Sequence, residues 1–153
     1  MMYRKIINGI TAGLMMLALT ECLGASEVNT EKLVAAVSQN YRLIGTMDNP
    51  SNEVQLAAVN QNYIAIKYIR NPSKEAQLAA VNQNQYAIQY IQNPSEEAQV
   101  AAVKQSYFII QHIENPSKKA QIAAVKESYF AIRYIKNPDV EAIKIAQAKM
   151  IEK

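Results

Sequence analysis

The sequence predicts an all-α fold, an α-solenoid of 22-residue helical-hairpin repeats. Every proline of the chain follows an asparagine, and these pairs recur at intervals of 22 residues. They are Asn49-Pro50, Asn71-Pro72, Asn93-Pro94, Asn115-Pro116 and Asn137-Pro138. A fixed period of this length is typical of solenoids, whose units become stable only by stacking on their neighbours. Each unit also contains two helix-capping positions and apolar residues at helical spacing, which predicts two helices per unit.

Four units follow one another without insertion or deletion, at residues 49–70, 71–92, 93–114 and 115–136. A degenerate first unit without the proline occupies residues 27–48, because its Ala35-Ala36-Val37 lies 22 residues before Ala57-Ala58-Val59. Residues 137–153 begin a sixth copy and then diverge, so we expect a C-terminal capping helix there. The predicted repeat domain therefore covers residues 26–153.

The first helix of each unit is predicted to begin after the polar residue that follows the proline. That residue is Ser51, Ser73, Ser95, Ser117 or Asp139. Its side-chain oxygen can accept from the unpaired amides of the first helical turn, and a glutamate two places later, such as Glu53, suits the positive end of the helix dipole. Leu56 and Val59 bracket two alanines at the spacing of an inward helical face, and this pattern recurs in each unit.

The second helix is predicted to begin at another polar cap, 11 residues after the first cap. The caps are Asn62, Asn84, Ser106 and Ser128. Isoleucines such as Ile66 and Ile69 then form its inward face, and the next Asn-Pro ends it because proline restricts the preceding residue to extended geometry. The hairpin thus has roughly three helical turns followed by two. A kinked coiled coil conflicts with a proline in every unit, and a β-solenoid would need glycine turns and alternating apolar residues.

The repeating unit, Asn-Pro-Ser-x-Glu-Ala-Gln-Leu-Ala-Ala-Val-x-Gln-Asn-x-Tyr-Ala-Ile-x-Tyr-Ile, resembles a family of short tandem helical repeats of unknown function. Proteins of this family occur in bacteria, phages and large viruses, and the resemblance covers residues 27–136. It implies a helical repeat fold and no catalytic or binding residues. Family members commonly carry glycine after the Gln-Asn of the interhelical turn, whereas this chain has Tyr63, Gln85, Tyr107 and Tyr129 there.

Residues 1–25 do not fit the repeat and are predicted to form a cleavable signal peptide. Arg4 and Lys5 give a basic start, an apolar stretch follows from about Gly9 to Leu19, and small residues around Ala25 offer a cleavage site. We therefore expect an exported protein. The alternatives are an uncleaved membrane anchor and an N-terminal helix that caps the solenoid.

Leu19-Thr20-Glu21-Cys22 resembles a bacterial lipoprotein cleavage box, which makes Cys22 a candidate lipidation site. Glu21 is a departure, since a small residue is usual at that place. Cys22 is the one cysteine of the chain, so no intramolecular disulfide can form and the stack must be stable through packing alone.

The composition predicts no enzyme and no catalytic, cofactor-binding or metal site. One histidine, one cysteine and four glycines are too few for a zinc set or a glycine-rich phosphate loop. His112 is distant in sequence from Asp48 and Asp139, which argues against a Ser–His–Asp triad. Because tyrosine holds the same place in other units, His112 is interpreted as one ring that replaces another.

Rings of the second helix are the candidate partner-binding residues. They are Tyr68, Tyr86, Tyr90, Phe108, His112, Phe130 and Tyr134. Residues four apart, such as Tyr86 and Tyr90, share one face of an α-helix, so stacked units would present one aromatic stripe. Such rings are favoured at protein interfaces, and the alternative is that they form an interhelical core.

Two further patterns have both a solvated and a functional interpretation. Glutamines recur at two places of the first helix, Gln55, Gln77, Gln99 and Gln121 at one and Gln61, Gln83 and Gln105 at the other. We expect solvated helix surface, as for most glutamines, with a ladder that contacts a partner's backbone as the alternative. Residues 115–153 carry eight Lys/Arg against four Asp/Glu, a basic end that is either solvated surface or a contact for an acidic partner or anionic lipid.

Together these patterns predict a non-enzymatic exported scaffold that binds a protein or peptide along one face. The alternative is a membrane-anchored or lipidated envelope-surface protein, held by residues 6–25 or Cys22, that blocks or occupies a receptor. A nucleic-acid partner is disfavoured because the variable positions of the second helix supply little positive charge. Those positions are Lys67, Gln89, Gln111 and Arg133.

Overall fold

The computed structural model describes residues 30–152, which form six α-helices and five 3-10 helices. The α-helices are α1 (Thr30–Gln39), α2 (Asn52–Gln61), α3 (Lys74–Gln83), α4 (Glu96–Gln105), α5 (Lys118–Glu127) and α6 (Val140–Ile151). The 3-10 helices are η1 (Tyr41–Thr46), η2 (Tyr63–Tyr68), η3 (Gln85–Tyr90), η4 (Tyr107–His112) and η5 (Tyr129–Tyr134). The predicted signal peptide and Cys22 lie outside the described residues.

The helices form two packed layers, one of α-helices and one of 3-10 helices. Successive α-helices pack side by side, and each 3-10 helix packs against its own α-helix and the α-helix of the next unit. Apolar side chains from both layers form one continuous core. This confirms the predicted all-α solenoid. Of the helices between residues 30 and 152, none is long and apolar enough to cross a membrane.

Helices α2 to α6 begin at the predicted caps. The hydroxyls of Ser51, Ser73, Ser95 and Ser117 accept from the amide three residues later at 3.1–3.4 Å. The inward face of α2 is broader than the sequence pattern suggested, because Val54, Ala58 and Val59 are fully buried while Leu56 is only partly buried. Small alanines at the buried positions let neighbouring α-helices approach closely.

The second helix of each unit is a 3-10 helix, and the prediction of an α-helix was wrong in this respect. In η2 the amide of Ala65 donates to the carbonyl of Asn62 at 2.9 Å, and the amide of Ile69 donates to Ile66 at 3.3 Å. A helix of 6 residues satisfies more of its own backbone groups with bonds to the third residue back than with bonds to the fourth. In η2 the predicted inward residues are buried, with Ile66 at 0% and Ile69 at 6% exposure, whereas Ile132 in η5 is partly buried.

The caps of the 3-10 helices differ between units. The side chains of Asn62 and Asn84 accept from the amide two residues later at 2.9 Å. Ser106 and Ser128 occupy the same position without a side-chain capping hydrogen bond. The prediction that the side chains of these serines cap the helices was therefore wrong. The serine side chain is shorter than that of asparagine, and its hydroxyl accepts no hydrogen bond from the first turn.

The turn asparagines also depart from the predicted extended geometry at two places. Asn49 and Asn93, which precede proline, have φ values of 52° and 51°. This is the left-handed region, which asparagine tolerates better than most non-glycine residues. Asparagine before the proline is thus compatible both with the left-handed backbone of these turns and with their exposure to solvent.

Candidate binding surface

A buried glutamine in each central α-helix joins one unit to the next. Gln55, Gln77, Gln99 and Gln121 are only 7–8% exposed. The amide nitrogen of each donates to the carbonyl of the proline five residues earlier at 2.8–3.0 Å. The amide oxygen of each accepts from the backbone amide of the next unit's cap residue, Ser73, Ser95, Ser117 or Asp139, at 2.7–2.8 Å. The expectation that these glutamines are solvated was therefore wrong.

The physical reason lies in the backbone of the Asn-Pro turn. The carbonyl of the proline and the amide of the helix cap have no partner inside their own helix, and an unpaired buried backbone group is costly. A side-chain amide satisfies one acceptor and one donor at once, whereas a carboxylate would satisfy only the donor. Leu33 and Ile143 hold this place in the first and sixth copies, so the first unit stacks on the second without this bond.

A second set of glutamines forms hydrogen bonds between neighbouring α-helices at their C-terminal ends. Gln83 donates to the carbonyl of Val59 at 2.7 Å, and Gln105 donates to Val81 at 2.8 Å. Their side chains remain exposed as predicted, but they also bond to the preceding unit. The two sets of bonds hold neighbouring units at both ends of the α-helices, which fixes the positions of the 3-10 helices between them.

The predicted aromatic residues lie on the outer side of the 3-10 layer. Tyr68, Tyr86, Tyr90, Phe108, Phe130 and Tyr134 are 37–47% exposed, and His112 is exposed as well. We call these seven side chains the aromatic ridge. The alternative that they form an interhelical core was wrong, because the core beneath them consists of alanine and isoleucine, such as Ala87 and Ile88 in η3.

Contacts within the aromatic ridge run between units rather than within one. The rings of Tyr86 and His112 have centroids 6.3 Å apart, and those of Phe108 and Tyr134 are 4.7 Å apart with a T-shaped arrangement. The expectation that residues four apart share one face was wrong, because four residues of a 3-10 helix span about 120° beyond a full turn, compared with about 40° in an α-helix. The rings therefore form a diagonal series across successive units.

The charges on the 3-10 helices are all positive. The five 3-10 helices contain Arg42, Lys67 and Arg133 and no carboxylate. The ammonium of Lys67 lies 5.8 Å from the ring centroid of Tyr90, and the guanidinium of Arg133 lies 5.2 Å from that of Phe130. These distances allow cation–π contacts, so the cations are positioned on the aromatic ridge itself.

The ion pairs of residues 30–152 instead join the starts of neighbouring α-helices. Lys119 contacts Glu96 at 2.7 Å and Lys118 contacts Glu141 at 2.8 Å. The hydrogen bond to Glu141 and the nearby carboxylate of Asp139 raise the pKa of Lys118. Two cations of the basic end, Lys118 and Lys119, thus have acidic partners, and within the described residues no ion pair involves Lys67 or Arg133.

Notches open between successive Asn-Pro turns along one edge of the aromatic ridge. One, of about 770 Å³, is lined by Asn49, Gln55 and Tyr68 among others, and another, of about 580 Å³, by Asn93 and His112 among others. The turn asparagines are exposed. A chain that lies along the ridge can therefore contact ring faces, side-chain amides and cations at regular intervals.

Comparison with known proteins adds no further relationship. No protein-family model, curated protein or solved structure matches this chain. The resemblance to the family of short tandem repeats stays a prediction. Within residues 30–152, no group of three or more His, Cys, Asp and Glu residues is arranged to hold a metal ion.

Proposed function

We propose that this protein is a non-enzymatic scaffold that binds a peptide or an extended segment of another protein along its aromatic ridge. The observation that supports this most is the row of six Tyr and Phe side chains, each 37–47% exposed, on a stack of bonded units. A series of exposed aromatic rings keeps apolar surface in contact with water. Burial of that surface against a partner is favourable. Because hydrogen bonds from buried glutamines link neighbouring units, the rings are held in place before a ligand arrives.

A selection from a random peptide library against the immobilised chain tests this proposal. The selected peptides should bind the wild-type chain, and the double variant Tyr86→Gln/Tyr90→Gln should weaken binding by about tenfold or more, as removal of aromatic anchors does. The matched control is Asn60→Ala/Asn82→Ala, which changes exposed residues of α2 and α3. Circular dichroism should show that both variants keep the helical fold.

Failure to select any peptide, or equal binding by the two double variants, would contradict the proposed function. In the first case the rings do not form a peptide site. In the second case peptides bind elsewhere on the stack. Either result separates a structural role of the rings from a binding role.

We also propose that the protein acts outside the cytoplasm. The support is the sequence of residues 1–25, with its basic start and short apolar stretch. Intact-mass analysis of the full chain expressed in bacteria should show cleavage near Ala25, whereas a lipid attached to Cys22 would favour the alternative of an anchored envelope-surface protein. Retention of residues 1–25 by protein in the cytosol would contradict export.

A further inference from the structure

We infer that the partner on the aromatic ridge is an acidic peptide in polyproline II geometry, with two acidic clusters about nine residues apart. This inference rests on the proposed peptide-binding function and specifies the chemistry of the ligand. Two features of the ridge carry it, the spacing of its units and the placement of its cations.

The spacing of the units suits a polyproline II chain. Packed helices lie about 8–10 Å apart, so each unit advances the ridge by about that distance. One turn of a polyproline II helix has 3 residues and a rise of about 9.3 Å. A ligand in this geometry presents an equivalent side chain to each successive unit. Aromatic-lined grooves commonly bind this conformation, because it is extended and loses little entropy on binding.

The cations stand at the two ends of the ridge. Lys67 and Arg70 belong to the unit of η2, and Arg133 and Lys136 belong to the unit of η5. All four side chains are exposed. Among the described residues, no carboxylate lies within ion-pair distance of any of them. Positive charge is therefore available for a ligand at both ends.

The middle of the ridge has no Lys or Arg where the ends are basic, and Glu114 adds an exposed carboxylate there. Gln89 and Gln111 hold the places of Lys67 and Arg133 in η3 and η4. The two cationic places are three units apart, which corresponds to about 25–30 Å and to about three polyproline II turns. A ligand with acidic clusters at this separation, and with neutral residues between them, is complementary to the ridge in charge.

Single-stranded nucleic acid is the competing ligand for a surface of rings and cations. The centre, which has no Lys or Arg and carries Glu114, favours the peptide. A nucleic acid has a phosphate at every nucleotide and would leave several of them without a cation. The two ligands differ in salt dependence and are both included in the test below.

Fluorescence anisotropy with defined probes tests the inference on the full chain. The first probe is a labelled proline-rich peptide with two Glu-Glu clusters nine residues apart. The second has the same composition with the clusters adjacent, the third has glutamine in place of glutamate, and the fourth is oligothymidylate. We expect the first probe to bind about tenfold more tightly than the second and third, as the gain of two ion-pair contacts allows.

Charge reversal at the two ends supplies the matched variants. Lys67→Glu/Arg133→Glu should weaken binding of the first probe by about tenfold or more, because two attractive contacts become repulsive. Lys104→Glu/Lys144→Glu makes the same change in net charge on exposed residues of α4 and α6, and it should change the affinity by less than about threefold. Circular dichroism of both variants checks that the fold is kept.

The other outcomes overturn the inference in distinguishable ways. The acidic and glutamine probes could bind equally well to the wild-type chain and both fail to bind Tyr86→Gln/Tyr90→Gln. This result would contradict an acidic ligand and would still support the proposed peptide-binding function. Tighter binding of oligothymidylate would replace the peptide with nucleic acid. No binding of any peptide probe would overturn the inference, and the library selection then decides the proposed function separately.

Discussion

The buried glutamine bonds each of the four central units to the copy that follows it. Gln99 bonds to Pro94 within its own unit and to Ser117 in the next one. Replacement by an apolar residue of similar size leaves a partly buried carbonyl and a partly buried amide without partners. The cost of each such group is about 1–3 kcal/mol, lowered here where water from the adjacent notch can reach it.

Three glutamines of one unit form a graded series for a stability measurement. We expect Gln99→Leu to lower the free energy of unfolding by about 1–3 kcal/mol and Gln105→Leu, which loses one bond at the surface, by about 0.5–1.5 kcal/mol. Gln111→Leu, at an exposed position, should change it by less than about 0.5 kcal/mol. Urea unfolding measures the free energy of unfolding of the three variants. An equal effect of Gln99→Leu and Gln111→Leu would contradict the role given to the hydrogen bonds of Gln99.

At this scale the sequence was least informative. Glutamine is usually exposed, so residue type alone predicted a solvated place for Gln55 and its equivalents. The available signal was that this place is glutamine in all four central units, while the neighbouring position before it changes from valine to alanine. The end copies carry Leu33 and Ile143 there, so the glutamine is restricted to the central units.

At the scale of elements, the position of the second helix could be predicted and its geometry could not. The caps and the next proline determine where η2 begins and ends, and both are visible in the sequence. The choice between α and 3-10 geometry depends on how many backbone bonds a short segment can close against its neighbours. The helix geometry also determines which rings contact one another, because in the 3-10 form Tyr86 contacts His112 of the next unit.

The buried face of η3 gives a second prediction. Ile88 is 1% exposed, and Ile88→Ala should lower the free energy of unfolding by about 2–5 kcal/mol, as truncation of buried isoleucine does. Gln89→Ala, one residue along on the exposed side, should change it by less than about 0.5 kcal/mol. Chemical denaturation compares the two. Similar losses would mean that the inward face of the 3-10 layer is assigned wrongly.

The unequal caps of the 3-10 helices give a third prediction. Ser106→Asn should raise the free energy of unfolding by about 0.5–1 kcal/mol, because asparagine at this position accepts a bond in η2 and η3 that the serine does not make. The reverse change, Asn84→Ser, should lower it by a similar amount. Thermal unfolding monitored by circular dichroism measures both, and a destabilising Ser106→Asn would contradict the role given to the asparagine amide.

At the scale of the whole molecule, the sequence predicted the solenoid well because its signals repeat in register. The prolines, the serine caps and the paired alanines recur in each central unit, so an error in one unit is corrected by the others. The aromatic residues were identified from the same register. Their exposure could not be predicted, because a ring at a regular helical position suits a core and an interface equally.

Removal of one unit gives a fourth prediction. Deletion of residues 71–92 should leave a folded, less stable helical chain, because Gln55 would then meet the amide of Ser95 in place of Ser73. Deletion of residues 71–91 puts the remaining units out of register and should be much more destabilising. Urea unfolding followed by circular dichroism compares them, and equal stability of the two deletions would contradict stacking in register.

Binding on the aromatic ridge is tested most directly by an NMR titration of the isotope-labelled full chain with the two-cluster acidic peptide. The amide shifts are predicted to change in η2, η3, η4 and η5 and in the Asn-Pro turns beside them. The exposed faces of α2 to α5, which include Asn60, Asn82 and Lys104, should show little change. Shifts concentrated on those α-helices, or no shifts at saturating peptide, would contradict binding on the ridge.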